Sequence, residues 1–248
     1  MKQILIELPK KIIKSPSIKA SLKSIFYALF NRHLYSAHKD YRFTDEQLKF
    51  SHILEAVNYV RVAELPNVYF EFGCHSARTF SAAARATKYL KMQDAQLYAF
   101  DSFEGLPETV KEDDGYFEAG TFFTPIESFL HLVKSQSGLS LKPENVIKGY
   151  YEDSLTSEIQ SKMPKVGVVH IDVDLYSSTV EVLDFIKPLM VVGTVLVFDD
   201  WYCFPPGSNM GERRALEEFC KNNPLFKVEE WKSYSTFGKS FFVIATPQ

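Results

Sequence analysis

The sequence predicts an α/β fold built on a mostly parallel β-sheet, and three observations support this. From residue 67 onward, short β-rich segments alternate with helical segments. The inner β-rich segments, KVGVVHIDVDLY at 165–176 and GTVLVFDDW at 193–201, are nearly continuous apolar runs, as expected for parallel strands covered on both faces. The last two segments, FKVEEWKSY and KSFFVIATP, are joined through Phe237 and Gly238 and predict a terminal antiparallel pair.

The alternation gives each element a place along the chain. We expect parallel strands at 67–73, 96–103, 144–151, 165–176 and 193–201, and helices at 76–92, 124–138, 178–190 and 211–224. Gly138 and Pro224 mark the ends of two of these helices, because glycine favours a helix C-terminus and proline cannot continue a helix. No internal repeat or low-complexity tract interrupts this order.

Residues 1–66 differ from the rest in charge and pattern, and we predict a helical cap that precedes a domain at 67–248. Residues 1–40 carry eight Lys or Arg against two acidic residues, a charge of +6, so the remainder carries −9 to give the formal −3. A helix is expected at 46–64. An earlier amphipathic helix is predicted from apolar residues at helical spacing: Ile18, Leu22, Ile25, Phe26 and Leu29. We favour its packing on the core or on a partner subunit, and contact with an anionic membrane surface is the alternative.

Composition and charge narrow the class of protein. A hydrophobic content of 46% and a charged content of 24% over 248 residues are ordinary for a soluble globular chain. The charge of −3 argues against a nucleic-acid partner, which usually requires a basic face. Cys74, Cys203 and Cys220 form no CxxC and no paired framework, so we expect neither disulfides nor zinc, and a cytoplasmic location. No apolar run approaches the roughly 20 residues of a transmembrane helix, and no signal peptide is expected at the start.

Polar residues terminate each expected parallel strand, where open α/β sheets bind their ligands. In strand order these residues are Glu71 with Gly73, then Asp101, then Gly149 with Tyr150, then Asp172 with Asp174, and last Asp199 with Asp200. Asp101 ends the second strand, a place where an acidic residue commonly accepts hydrogen bonds from ribose hydroxyls of a nucleoside cofactor. The turn GCHSART has one clear glycine, so an ordinary strand–helix turn is the alternative, and a phosphate-binding P-loop is not expected.

Four aspartates at the ends of two strands predict a metal site. Asp172 and Asp174 are two residues apart and would share one face of an extended strand. Asp199 and Asp200 end the next strand, and neighbouring strands lie about 4.8 Å apart. Carboxylates so close resist joint ionisation, and oxygen-only ligands favour Mg²⁺, or else Mn²⁺ or Ca²⁺. The alternative, strongest for Asp174 and Asp200, is that some of them are helix caps or surface loop residues.

Several nearby residues have two interpretations. His170, inside an apolar strand, is more readily explained as a core histidine than as a catalytic one. Arg213 and Arg214 would hold an anionic substrate or lie on a solvated helix face. The aromatic residues after the last aspartate would form a substrate wall or pack in the core: Trp201, Tyr202 and Phe204.

Five strings of the sequence, taken together and in order, carry a family resemblance. They are YAFDSFEGLPE (98–108), KGYYEDSL (148–155), VVHIDVDLYSST (168–179), LVFDDW (196–201) and GERRALEEF (211–219). They resemble the macrocin O-methyltransferase group of natural-product sugar methyltransferases over about residues 67–245. The resemblance implies a Rossmann-like class I methyltransferase fold with a seven-stranded sheet, S-adenosylmethionine (SAM) as methyl donor, Mg²⁺, a sugar hydroxyl as acceptor, and a homo-oligomer built partly by the N-terminal segment.

Matched position by position, the resemblance also implies roles for individual residues. The residues at the metal-ligand positions are Asp172, Asp199 and Asp200, and the residue at the general-base position is Asp174. The cofactor places fall on Glu71, Gly73, Asp101, Ser102 and Asp172. One departure lies in the cofactor turn, which has Ala77-Arg78-Thr79 where the family usually has Gly-Gly or Gly-Arg before Ser or Thr, and His75 in place of an aromatic or aliphatic residue.

The sequence therefore predicts a SAM- and metal-dependent O-methyltransferase that acts on a sugar or a glycosylated small molecule. An enzyme acting on a catechol-like vicinal diol or phenol is one alternative, because such enzymes also hold a metal on aspartates at strand ends. A non-catalytic SAM-binding protein is the other, and the intact set of mutually repelling aspartates argues against it. A dinucleotide oxidoreductase is a poor fit, since the glycine fingerprint is missing.

Overall fold

A computed structural model of the chain describes residues 43–108, 117–205 and 207–247. The amphipathic helix predicted at 18–29 lies outside the described residues, as does most of the predicted 1–66 cap. The sheet and the helices around it belong to one compact unit, Gln47–Gln248. No helix in the described part of the chain is both long and apolar enough to cross a membrane.

Helices and strands alternate from residue 43 to the C-terminal hairpin. The helices are α1 (43–62), α2 (Arg78–Tyr89), α3 (Ile126–Ser137), α4 (Tyr151–Ser154), α5 (Ser157–Lys162), α6 (Tyr176–Ile186) and α7 (Gly211–Asn222). The strands are β1 (Val68–Phe72), β2 (Gln96–Asp101), β3 (Val146–Lys148), β4 (Val166–Ile171), β5 (Met190–Phe198), β6 (Lys227–Tyr234) and β7 (Gly238–Ala245). A single 3₁₀ turn, Pro143–Asn145, precedes β3.

The seven strands form one sheet in the order β3-β2-β1-β4-β5-β7-β6. Strands β1 to β5 pair in parallel, whereas β7 is antiparallel to both β5 and β6 and lies between them. The predicted fold, a mostly parallel sheet closed by an antiparallel hairpin, is confirmed. Because β1 and β4 are neighbours at the centre, the sheet runs outward in two directions from them, which is where open α/β sheets form their binding crevice.

Two apolar cores cover the two faces of the sheet. Side chains of α1, α2 and α3 pack on one face, and side chains of α4 to α7 pack on the other. The buried residues of α1 recur at helical spacing: Ile53, Ala56, Val57 and Val60. This face fixes both the position and the rotation of α1 on the sheet, so residues one turn earlier along the same face also point inward.

Two predicted strands have half of their expected length or less in the structure. The segment predicted as a strand to residue 176 ends at Ile171, and Asp172 and Asp174 lie in the loop that leads into α6. Asp172 and Asp174 therefore do not share a strand face, and that prediction is wrong. Asp172 N makes the last bond along the sheet, to Phe72 O at 2.9 Å, and Asp174 then adopts a left-handed conformation, φ 58°, which turns the chain away. Similarly, β3 ends at Lys148, and Tyr151 already begins α4.

Gly73 lies where the ends of β1 and β4 come closest. Its φ is +80°, and a Cβ placed there would lie 1.7 Å from the carbonyl oxygen of Asp172. Only glycine fits so close to a neighbouring backbone. The absence of a side chain at Gly73 thus sets the spacing between the loops that follow the two central strands.

Candidate active site

The carboxyl ends of β1 to β5 surround one cavity of about 290 Å³. Every element of the parallel sheet contributes to its wall, and so does helix α1. The described residues that line it are Lys49, Gly73, His75, Asp101, Ser102, Gly105, Leu106, Pro107, Phe122, Gly149, Tyr150, Tyr151, Asp172, Val173, Asp174, Ser178, Asp199 and Asp200. The structure therefore brings together all but one of the site residues predicted from the sequence, the exception being Glu71.

On the β1–β2 side, the carboxylate of Asp101 is held by backbone amides. Its Oδ2 accepts from the N–H groups of Cys74 at 2.7 Å and His75 at 3.1 Å. Its Oδ1 accepts from Phe103 N at 2.6 Å. A carboxylate has about four acceptor positions, so roughly one remains for a ligand. Ser102 beside it donates to Gly105 O at 2.7 Å and accepts from Glu104 N at 3.0 Å, which shapes the loop after β2.

Glu71 lies beneath the turn that follows β1 and is fully buried. Its carboxylate accepts hydrogen bonds from the hydroxyls of Tyr69 and, at 2.8 Å, Thr79. Burial raises the pKa of Glu71 to about 8, against the opposing effect of these donors. Burial also lowers the pKa of His170 to about 4, so its 3.7 Å approach to Glu71 is not an ion pair near neutral pH. Glu71 supports the turn from below.

The turn itself contains two non-glycine residues with positive φ, His75 at 32° and Ala77 at 60°. Ala77 precedes α2 in a conformation that glycine adopts more easily. The ring of His75 lines the cavity, and its Nδ1 lies 2.8 Å from Phe122 O and 3.0 Å from Thr124 Oγ1. His75 therefore ties the loop before α3 to the cofactor turn.

On the β4–β5 side, three carboxylates converge. Asp172, Asp199 and Asp200 each offer an oxygen, and these oxygens lie within 4.8 Å of one another. Asp172 comes from the loop after β4, whereas Asp199 and Asp200 directly follow β5. Asp174 lies in the same wall, where the charges of Asp200 and Asp199 act on its carboxyl group.

Burial and mutual repulsion disfavour ionisation of this cluster. Burial, followed by the charges of Asp199 and Asp200, raises the pKa of Asp172 well above its ordinary value. Burial and the charge of Asp200 raise the pKa of Asp174 to about 8. Burial and the charge of Asp199 raise the pKa of Asp200 to about 6. Placing full negative charge on the cluster therefore requires a compensating cation.

A layer of polar residues behind the cluster orients its carboxylates. The hydroxyl of Tyr234 lies 3.1 Å from Phe198 O and 3.2 Å from Asp199 Oδ1, so its single proton is shared between these two acceptors. Asp200 N donates to Glu212 Oε2 at 3.0 Å, and Cys203 Sγ donates to Asp200 Oδ1 at 2.9 Å. Glu212 is fully buried at the start of α7, and burial with the charge of Asp200 raises its pKa well above the ordinary value.

Lys49 supplies positive charge to the cluster from helix α1. Its ammonium group is paired with Asp199 Oδ2. Burial opposes the charge of Lys49, but the carboxylates of Asp199 and Asp172 outweigh that effect and hold its pKa above the ordinary value. The side chain of Lys49 is 24% exposed and that of Asp199 is 4% exposed, so the pair is largely shielded from water.

The donor set fits a hard divalent cation. All three converging groups are carboxylates, which suit Mg²⁺ or Mn²⁺. Within the described ranges, the buried Oδ2 atom of Asp200 has no hydrogen-bond partner, and neither does Glu212 Oε1. A buried carboxylate oxygen with no donor is costly, and coordination to a cation would satisfy the one on Asp200.

The residues for which the sequence left two interpretations have structural roles in the folded protein. Trp201 and Phe204 are buried, and neither they nor the more exposed Tyr202 are among the described residues that line the cavity. Arg213 donates to Pro205 O at 3.1 Å. Arg214 pairs with Glu218 at 2.9 Å, and its guanidinium lies 4.0 Å from the ring centroid of Tyr176. His170 is fully buried in the core.

Lys49 and Glu212 were missed by the sequence analysis, although a signal was present for both. Lys49 is in helical register with the buried residues 53, 56, 57 and 60 of α1. Glu212 is in register with Ala215, Leu216 and Phe219 of α7. A charged residue on the apolar face of an amphipathic helix is uncommon unless it is paired, so its position alone marks it for attention.

The sequence profile of the macrocin-O-methyltransferase (TylF) family matches residues 42–234, which spans the cavity and all the residues discussed above. The chain belongs to this family. The resemblance inferred from the sequence is confirmed, and membership makes the protein a methyltransferase. No curated protein matches the sequence significantly.

Solved structures of methyltransferases share the fold. The O-methyltransferase NovP superposes with a TM-score of 0.64 at 18% identity, over 81% of this chain and 80% of its own. Apo CalS11, a TDP-rhamnose 3'-O-methyltransferase, gives 0.55 at 15% identity, over 93% and 96%. An O-methyltransferase from Bacillus cereus in complex with S-adenosylhomocysteine (SAH) gives 0.50 at 14%, over 77% and 80%. At these identities the likeness establishes the fold.

Proposed function

We propose that the protein is a SAM- and divalent-metal-dependent O-methyltransferase that acts on a hydroxyl of a sugar or a glycosylated small molecule. One observation carries the proposal: the same cavity is lined by Gly73 and Asp101, which suit a nucleoside cofactor, and by the carboxylate cluster of Asp172, Asp199 and Asp200. Methyl transfer to oxygen needs both a bound donor and an activated hydroxyl, and these two ends supply the two requirements.

The cofactor would lie across the ends of β1, β2 and β3. Gly73 lets a ligand approach the backbone, and the remaining acceptor position of Asp101 suits one ribose hydroxyl. A hydrogen bond from Gly149 N to Asp101 O, at 3.1 Å, joins the ends of β2 and β3. This bond holds Gly149 beside the proposed position of the ribose. The Bacillus cereus neighbour binds SAH, the product form of SAM, on the same fold.

Asp172, Asp199 and Asp200 would hold the metal. When bound, a divalent cation supplies Lewis acidity that orients a hydroxyl and lowers its pKa. The residues behind the cluster keep the ligand oxygens in place, because Tyr234 donates to Asp199 and Glu212 accepts from Asp200 N. The metal is a proposal that rests on the convergence and chemistry of these oxygens.

Asp174 would accept the acceptor's proton. In the transfer, a lone pair of the hydroxyl oxygen forms the new bond to the methyl carbon while the carbon–sulfur bond breaks and its electrons remain on sulfur. The hydroxyl proton passes to the Asp174 carboxylate, and the products are the methyl ether and SAH. Burial and the charge of Asp200 raise the pKa of Asp174 to about 8, so this carboxyl group is ionised, and able to accept a proton near neutral pH, only when a cation compensates the cluster. Its loop position, fixed by the turn at φ 58°, faces the cavity.

The proposal that the acceptor is a sugar rests on the family and on one structural neighbour. The family is named for the O-methylation of macrocin, and CalS11 is a TDP-rhamnose methyltransferase. We therefore expect a glycosylated small molecule or a nucleotide sugar to accept the methyl group. A cytoplasmic location and assembly as a homo-oligomer remain predictions from the sequence.

The test is methyl transfer from SAM labelled in its methyl group, with Mg²⁺ and with EDTA, to panels of nucleotide sugars, glycosides and catechols. We expect label in a sugar methyl ether with Mg²⁺ and a large loss of transfer with EDTA. Transfer only to catechols would replace the proposed acceptor with a phenolic diol. Transfer that is equally fast in EDTA would overturn the metal requirement.

A further inference from the structure

Lys49 differs from an ordinary surface lysine because its ammonium group lies against the carboxylate cluster. Its ammonium group is paired with Asp199, whose carboxylate is also one of the three converging oxygens of the cluster. The charges of Asp172 and Asp200 act on Lys49 as well. A lysine therefore supplies positive charge at the position where the cluster would bind a divalent cation.

Helix α1 holds Lys49 there through packing that is independent of the charge pair. Ile53, one turn further along the helix, is 1% exposed. His52 stacks on the ring of Tyr234 at a centroid distance of 4.2 Å, and the hydroxyl of Tyr234 donates to Asp199. Helix α1 thus contacts Asp199 directly through Lys49, and indirectly through His52, which packs on Tyr234.

We propose that Lys49 is a built-in cation of the aspartate cluster, and that a divalent metal ion displaces its ammonium group from Asp199 on binding. This inference rests on the proposed metal site. The ammonium group and the metal compete for the same carboxylate, and two cations a few ångströms apart in a shielded site repel each other. Metal occupancy is then coupled to the position of the Lys49 side chain.

Two consequences distinguish this role from simple anchoring of α1. The metal-free cluster keeps one positive charge, so the protein remains folded without metal. The metal binds less tightly than it would to the same carboxylates without Lys49, because binding must break the pair with Asp199 and overcome the repulsion.

The experiment compares Lys49→Met, Lys49→Arg and the control Lys232→Met by calorimetric titration with Mn²⁺. Lys232 pairs with Glu55, another residue of α1. We expect Lys49→Met to bind Mn²⁺ about tenfold more tightly, because a like charge beside the ligands is removed. Lys49→Arg keeps the charge, and the control loses the pair with Glu55 and a contact with the Trp231 ring but leaves Lys49 in place, so both should match the wild type.

A second readout uses the wild-type protein and does not depend on the variants folding. Amine acetylation followed by mass spectrometry reports how accessible each lysine is, with and without saturating Mn²⁺. Displacement predicts that Mn²⁺ increases the acetylation of Lys49 and leaves that of Lys232 unchanged. Unchanged acetylation of Lys49 in Mn²⁺-bound protein would contradict displacement.

The outcomes separate this inference from the proposed function. If Lys49→Met is folded and binds Mn²⁺ no more tightly than the wild type, the role of Lys49 as a competing cation is wrong while the metal site stands. If no variant and no wild-type protein binds Mn²⁺, both the metal requirement and this inference fail. Binding of SAH by the same samples would then still support a methyltransferase.

Discussion

The two sides of the cavity each contain carboxylates that are partly or fully shielded from water, and they stabilise these groups in different ways. On the β1–β2 side, both carboxylate oxygens of Asp101 accept bonds from backbone N–H groups. On the β4–β5 side, the buried Oδ2 of Asp200 has no hydrogen-bond partner within the described residues, and the pKa of Asp172 is raised by burial and by neighbouring carboxylates. Fixed amide dipoles stabilise the first carboxylate, whereas the second cluster has one ammonium group, that of Lys49, for three carboxylates and needs a further cation.

This difference separates the expected requirements for the two ligands. The side with Asp101 is complete within the chain, so a nucleoside cofactor should bind there without metal. The side with Asp199 is incomplete without a cation, so activation of an acceptor hydroxyl should depend on one. Variants that affect both sides, or one side alone, test this separation.

Gly73→Ala should have the largest effect, because Gly73 joins the two sides. The new Cβ would lie 1.7 Å from Asp172 O in a backbone with φ +80°, so both loops must shift. We expect loss of SAH and Mn²⁺ binding and a fall of about 2–4 kcal/mol in the free energy of unfolding, measured by denaturant titration. The control is Gly120→Ala, which has a similar φ of +75° but no atom within 4 Å of the new Cβ. Equal effects of the two substitutions would contradict the steric explanation.

Asp174→Asn should stop turnover while both binding sides remain intact. The amide cannot accept the proton, so kcat should fall about 10³-fold, within the range for loss of a general base. SAH affinity, measured by calorimetry, should not change. Asp184→Asn, at an exposed position on α6, is the matched control. Full activity of Asp174→Asn would exclude Asp174 as the base.

Asp199→Asn should weaken the metal side alone. The substitution removes a charged ligand and the partner of Lys49, so Mn²⁺ affinity should fall at least about 100-fold, beyond the effect typical for groups that only support ligands. Titrations of the same variant with SAH should match the wild type. A variant that loses SAH binding and keeps Mn²⁺ binding would reverse the assignment of the two sides.

Asp101→Asn should weaken the cofactor side alone. The amide replaces an acceptor that receives three backbone N–H bonds and one proposed ribose hydroxyl. We expect SAH affinity to fall about 10- to 100-fold, since hydrogen bonds to a charged group contribute about 1.5–3 kcal/mol. Mn²⁺ titration of the variant should be unaffected. An SAH affinity equal to that of the wild type would remove Asp101 from the cofactor site.

Tyr234→Phe should have the smallest effect. It removes the hydroxyl that donates to Asp199 Oδ1 and keeps the ring that stacks on His52. Because the hydroxyl proton is shared between Phe198 O and Asp199, the contact with Asp199 contributes only about 1 kcal/mol, so we expect Mn²⁺ affinity to fall about fivefold, with SAH affinity unchanged. An unchanged Mn²⁺ affinity would mean that Tyr234 does not position Asp199.

The sequence predicted the sheet and the location of the cavity for a physical reason. Apolar runs between polar ends identify buried parallel strands, and the polar ends of such strands meet at one edge. Asp101, Asp199 and Asp200 could therefore be named without a structure. The geometry of Asp174 could not, because the chain leaves the sheet after Ile171 and a left-handed turn, rather than strand alternation, directs that carboxylate.

Lys49 and Glu212 show the other limit of sequence reasoning. Each lies on the buried face of an amphipathic helix; Lys49 is 150 residues from Asp199, whereas Glu212 is 12 residues from Asp200. Charged residues on such helices are usually interpreted as part of the solvated face. Only the packing of α1 and α7 on the sheet brings them to the ends of β4 and β5.

The most direct test of the account is calorimetric titration of SAH into the protein in EDTA and again in Mg²⁺. We predict binding with the same affinity in both conditions, because the charge of Asp101 is balanced by the chain itself. Binding in Mg²⁺ alone would contradict the separation of the two sides. Failure to bind in either condition would contradict the cofactor site and leave the protein with the family's fold alone.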